Sequence, residues 1–143
     1  MSLGERDQAA IREAFDDLEQ DVEVTLELGP SATPVTLLAA GGRELDTSAI
    51  TRELVEAVCG LGDRVWLRVV EHEQAGKWPR TTIAGPSGTG LVYLGMPAGY
   101  ELTTLVGAIV ESGRAESTLT ATTLDRLATL ERDVAIDVFV TPT

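Results

Sequence analysis

Two stretches of this chain share one pattern, and an internal repeat constrains a fold more than any local propensity does. Residues 18–28 read Leu18-Glu19-Gln20-Asp21-Val22-Glu23-Val24-Thr25-Leu26-Glu27-Leu28. Residues 130–140 read Leu130-Glu131-Arg132-Asp133-Val134-Ala135-Ile136-Asp137-Val138-Phe139-Val140. Each is the end of an amphipathic helix, an acidic turn and an alternating strand. The second copy stops one strand in, at Thr141-Pro142-Thr143. The expectation is one complete unit over residues 1–115, with residues 116–143 as the first helix and strand of a second, truncated unit.

Periodicity places the elements. Ala10, Ile11, Ala14, Phe15 and Leu18 recur at helical spacing, so residues 5–20 are read as an amphipathic helix. Residues 22–28 alternate apolar and polar side chains, the mark of a half-exposed strand. Gly29-Pro30-Ser31 turns the chain, and Pro34 opens the apolar run Val35–Ala40, which suits a buried strand. A helix follows from about Asp46 to Gly60 or Gly62, with Ile50, Leu54, Val55, Val58 and Leu61 inward. Val65–Val70 is a strand that carries Trp66 toward the core. Thr81–Ile83 and Leu91–Leu94 flank a glycine-rich turn and read as a hairpin. Residues 101–112 and 119–130 are helices, and residues 134–140 a final strand. An α/β layer with a mixed sheet accommodates this order.

Composition removes several function classes. A net charge of −12 argues against nucleic acid and anionic membranes, which need Lys and Arg against phosphate. No apolar run of membrane-spanning length and no signal-peptide pattern occurs, so a cytoplasmic protein is expected. The single cysteine, Cys59, forms neither an internal disulfide nor a Cys-x-x-Cys pair, and its apolar neighbours read as core. The single histidine, His72, lies between Glu71 and Glu73 and reads as surface; it lacks the spaced partners of a metal site and the Gly-x-Ser-x-Gly elbow of a hydrolase. Gly85-Pro86-Ser87-Gly88-Thr89-Gly90 lacks the Lys-Ser/Thr ending of a phosphate loop. Neither cofactor nor metal is expected.

Three segments carry a resemblance. Pro34-Val35-Thr36-Leu37-Leu38 is similar to the first core strand of the N-terminal unit in the glutaredoxin-like protein disulfide oxidoreductases. It is equally similar to that strand in the N-terminal domain of the alkyl hydroperoxide reductase flavoprotein subunit. Trp78-Pro79-Arg80-Thr81-Thr82-Ile83 resembles their cis-proline loop and the strand after it. Tyr93-Leu94-Gly95-Met96-Pro97-Ala98-Gly99-Tyr100-Glu101-Leu102 resembles their Phe-Gly-x-Pro-x-Gly-His-Glu-Phe segment, the most specific of the three. The resemblance covers nearly the whole chain except for an insertion at residues 19–33. It implies a thioredoxin-like α/β fold with a central mixed sheet flanked by helices. It also implies tandem units, and Val138-Phe139-Val140-Thr141-Pro142-Thr143 resembles the lead-in to the second unit's Cys-x-x-Cys.

Within the complete unit the resemblance places Leu45-Asp46-Thr47-Ser48 where a Cys-x-x-Cys would sit. Both sulfurs are absent, and thiol–disulfide exchange needs an attacking thiolate. No catalytic residue is therefore assigned here. The tetrad is read as a helix N-cap, with anion or peptide binding as its rival. Trp78, Pro79 and Arg80 are the candidates for a substrate groove. The leading expectation is a redox-inactive unit that supports a C-terminal thioredoxin-like unit and helps hold disulfide-containing proteins. The alternatives are a non-catalytic protein-binding module and an enzyme that uses Cys59. Residues 134–140 are expected to pair with the first unit's sheet or with a second copy of the chain, because an unpaired apolar strand is an association hazard. The repeat and the resemblance conflict over residues 22–28; following the resemblance, they are taken as an added edge strand beside a core strand at 34–40.

Overall fold

A computed structural model describes residues 3–30, 46–86, 88, 90–97 and 99–139. Its elements run α1 (Glu5–Asp16), β1 (Val22–Leu28), α2 (Thr47–Cys59), β2 (Val65–Glu71), β3 (Arg80–Ala84), β4 (Gly90–Leu94), α3 (Tyr100–Ser112) and α4 (Ala121–Ala128). The four strands form one mixed sheet in the order β2-β1-β3-β4. β1 runs parallel to β2 and antiparallel to β3, and β3 pairs antiparallel with β4. The parallel β1–β2 pair needs a crossover, which α2 supplies.

Alternation decides which side of the sheet is dry. Val22, Val24 and Leu26 of β1 are fully buried and Leu28 nearly so. They share one core with Ile11 and Phe15 of α1, Val55 and Val58 of α2, Ile83 of β3, and Leu105 and Ile109 of α3. The opposite face is open and carries Glu23, Thr25 and Glu27 from β1, beside Arg68, Val70, Thr82 and Ala84. Arg68 reaches Glu23 there at 3.3 Å, both side chains being well exposed, so the pair adds little stability.

The C-terminus of α3 is wedged between two turns. The amides of Glu19 and Gln20 both donate to the carbonyl of Gly113, at 3.1 and 3.0 Å. On the other side, Gly85 lies against Ser112. Thr81 of β3 is fully buried, and its hydroxyl oxygen has no hydrogen-bond partner among the described residues. A buried, unpaired hydroxyl costs its desolvation without a return. Thr81→Val is therefore expected to raise the unfolding free energy by about 1 kcal/mol, read as a higher urea midpoint at unchanged slope. A lower midpoint would mean that the hydroxyl is hydrogen-bonded in solution.

Four sequence expectations are corrected. Residues 22–28 are not an added edge strand: β1 is paired on both sides and lies within the sheet. A strand with one face bare to water alternates like an edge strand, since the pattern reports faces and not edges. The expected core strand at 34–40 lies outside the described residues. Trp66 is 61% exposed on the open face, while its neighbour Val65 turns inward. His72 is half-buried rather than a free surface residue. Finally, residues 134–139 form no strand and do not join this sheet; Val134, Ile136, Val138 and Phe139 stand exposed. A strand needs a partner edge as well as a pattern. The predicted hairpin at 81–94 and the helices at 5–20, 46–60, 101–112 and 119–130 correspond to β3–β4, α1, α2, α3 and α4.

Candidate functional site

α2 packs back across the sheet, so its N-terminus lies at the same end as the C-terminal ends of β1 and β2. Arg52, in the second turn of α2, pairs with Glu71 at the end of β2 and confirms that placement. The loop from His72 to Pro79 comes to this end too, because β3 starts opposite the end of β1, with Arg80 facing Glu27. Chain topology thus collects Asp46–Ser48, His72, Trp78, Pro79 and Arg80 at one pole.

Leu45 lies outside the described residues. Asp46 caps α2: its Oδ1 accepts from the amides of Ser48 and Ala49 at 3.0 and 3.1 Å. Those are the N–H groups that an anion would use, and a carboxylate of the chain occupies them. The Thr51 hydroxyl donates to the Thr47 carbonyl at 2.6 Å. Among the described residues, no hydrogen bond or ion pair joins Asp46, Thr47 or Ser48 to Trp78, Pro79 or Arg80.

The second half of the site is more elaborate. The Trp78–Pro79 peptide bond is cis. The Pro79 carbonyl accepts from the amide of Gly95 at 2.8 Å, which ties the loop to Gly95-Met96-Pro97, and Pro97 is fully buried. The Trp78 ring stacks on His72 with centroids 4.1 Å apart and planes 2° from parallel. Its indole N–H donates to the Gln74 carbonyl at 3.1 Å. Glu27, with only 18% of its side chain exposed, meets His72 Nε2 through Oε1 at 3.1 Å and Arg80 Nη1 through Oε2 at 3.4 Å. The sequence by itself does not mark Glu27 and His72 as site residues. The signal available was Glu27 on the polar side of β1, but its partners depend on the β1–β3 register and on the path of the 72–79 loop.

Cys59 is remote from this pole, near the C-terminal end of α2, and is 4% exposed. Burial pushes its thiol from 9.0 up to about 12. Among the described residues, no group of three His, Cys, Asp or Glu side chains is placed to hold a metal ion. Likewise, no described helix is long and apolar enough to cross a membrane.

The sheet order, the α2 crossover and the β3–β4 hairpin leading into α3 make this a thioredoxin-like fold. The chain is similar to AhpF, a component of the alkylhydroperoxide reductase of Enterococcus faecalis, with a TM-score of 0.70 at 16% identity over 91% of this chain and 62% of that one. A separate structure of the N-terminal region of AhpF gives the same score and identity over 92% and 62%. A protein disulfide oxidoreductase from Aeropyrum pernix gives a TM-score of 0.69 at 21% identity over 91% and 56%. The chain thus spans less than two thirds of the length of these neighbours. No protein-family model and no curated protein matches it.

Proposed function

We propose that this chain is the redox-inactive N-terminal unit of a two-unit protein disulfide oxidoreductase of the cytoplasm. It buttresses a second thioredoxin-like unit whose Cys-x-x-Cys performs thiol–disulfide exchange, and it helps hold disulfide-containing proteins. The observation that carries this reading is the apolar surface between Leu119 and Phe139. Leu119, Leu124, Leu127, Leu130, Val134, Ile136, Val138 and Phe139 are exposed, from 41% at Leu124 to 93% at Phe139. α4 buries no residue at all. So many exposed apolar side chains in one stretch of the chain support an interaction site there. A second unit built onto residues 134–140 would cover it, and the greater length of the structural neighbours agrees. The test is the coding sequence beyond Thr143. A Cys-x-x-Cys within the next few codons supports the proposal, and a stop codon removes it. In that second case residues 134–140 of two copies are expected to pair, and sedimentation should read a dimer.

The His72–Trp78 cluster favours a second reading, a non-catalytic protein-binding module. Its probe is the full chain titrated with glutathione disulfide, the simplest disulfide peptide, by calorimetry. Trp78→Ala is expected to weaken binding about tenfold or more, as truncating a tryptophan at a contact centre does. Equal affinity in the variant would exclude the Trp78 edge as the binding surface.

A further inference from the structure

Two backbone hydrogen bonds among the described residues tie the 72–79 loop to the end of β1 and the residues after it. The His72 amide donates to the Leu28 carbonyl at 2.8 Å and the Gly76 amide to the Pro30 carbonyl at 3.0 Å. The Trp78 ring lies beside Gly29 and Gly76. A Cβ on Gly76 would come within 2.6 Å of the indole, and one on Gly29 within 2.9 Å, so backbone presses on the ring from both strand end and loop. The His72 imidazole stacks flat on the ring. The imidazole is oriented in turn by Glu27, which Arg80 holds from the other side.

We propose that His72 is a positioning residue: oriented by Glu27 and stacked on Trp78, it clasps the 72–79 loop onto the end of β1 and thereby sets the Pro79 edge of the candidate groove. The chain of contact is continuous. Glu27 belongs to the sheet, His72 to the end of β2, Trp78 to the loop, and the Pro79 carbonyl carries the tie onward to Gly95. An aromatic stack adds stabilisation beyond the area that it buries. Only the claim about the groove rests on the binding-module reading; the clasp itself does not.

Two single variants of the full chain separate the stack from the hydrogen bond. His72→Phe keeps a flat ring on Trp78 but cannot bond Glu27. His72→Gln keeps a polar contact with Glu27 but has no ring. Hydrogen exchange is followed at the amides of Gly76 and Gly95, whose acceptors are Pro30 and Pro79. The expected result is exchange about three- to tenfold faster at both amides in each variant, because each severs one link of the chain from Glu27 through His72 to Trp78, with Val24 and Leu26 unchanged. The imidazole proton resonances should also lie upfield in the parent, under the indole ring current, and return toward ordinary positions in Trp78→Leu. Unchanged exchange in either variant overturns the clasp. Since exchange needs no ligand, failure of the parent chain to bind glutathione disulfide counts against the binding module and leaves the clasp intact.

Discussion

Native protein treated with a thiol reagent at neutral pH is expected to leave Cys59 essentially unlabelled while the unfolded chain reacts completely. The residue lies near the C-terminal end of α2, next to Val58, and is 4% exposed. Burial raises its thiol from 9.0 to about 12. Only the thiolate attacks, so the shift alone lowers the reactive fraction about a thousandfold. Steric closure slows the reaction further. Fast labelling of folded protein would revive the reading of Cys59 as a peroxidatic or sensor thiol. The same burial sets a pH dependence. From pH 9.0 up to about 12 the unfolded chain has lost the thiol proton that the folded chain keeps, so stability falls as pH rises through that window. A Cys59→Ala variant should lose this alkaline component.

Gly85→Ala is expected to be among the most destabilising single-methyl additions to this chain. A Cβ at Gly85 would lie 2.1 Å from the backbone oxygen of Ser112, far inside contact distance. Neither partner is a flexible side chain. Relief requires the β3–β4 turn to move from the end of α3, which also holds the α1–β1 turn through Gly113. A cost of about 3 kcal/mol or more is expected for such overpacking, visible as a lower melting temperature and urea midpoint. Gly107→Ala is the control. Gly107 lies within α3, exposed, with nothing near its missing Cβ. There the same substitution should stabilise the protein by about 0.5–1 kcal/mol, because alanine is the better helix former. Loss of stability at both positions would argue against the wedged placement of α3.

Periodicity located α1, α2, α3, α4 and the β3–β4 hairpin, because each depends on near neighbours in the chain. It failed where the answer lay across space. Residues 22–28 alternate identically at an edge or within a one-sided sheet, so their place between β2 and β3 was hidden. Residues 134–139 have a strand's pattern, yet nothing in the sheet takes them up. Hydrophobicity points Trp66 to the core, but one register step separates it from the buried Val65. The site divided in the same way. The absence of sulfur at Leu45-Asp46-Thr47-Ser48 and the candidacy of Trp78, Pro79 and Arg80 could be read from residues. The grouping of Glu27, His72, Trp78 and Arg80 could not, since it joins positions from β1, the end of β2, a loop and β3.

What the amino-acid sequence alone determined is therefore the inventory: the helices, the alternating strand at residues 22–28, the β3–β4 hairpin, and a thiol-free tetrad at the start of α2. These are matters of composition and of short periods, which local sterics and the burial of one face impose. Tertiary structure decided the pairing. It placed β1 in the middle of the sheet, left one sheet face and the Leu119–Phe139 surface bare, and brought Glu27 to His72. Pairing is a choice among edges and registers of nearly equal local energy, and only the packing of α1, α2 and α3 onto a single face distinguishes them.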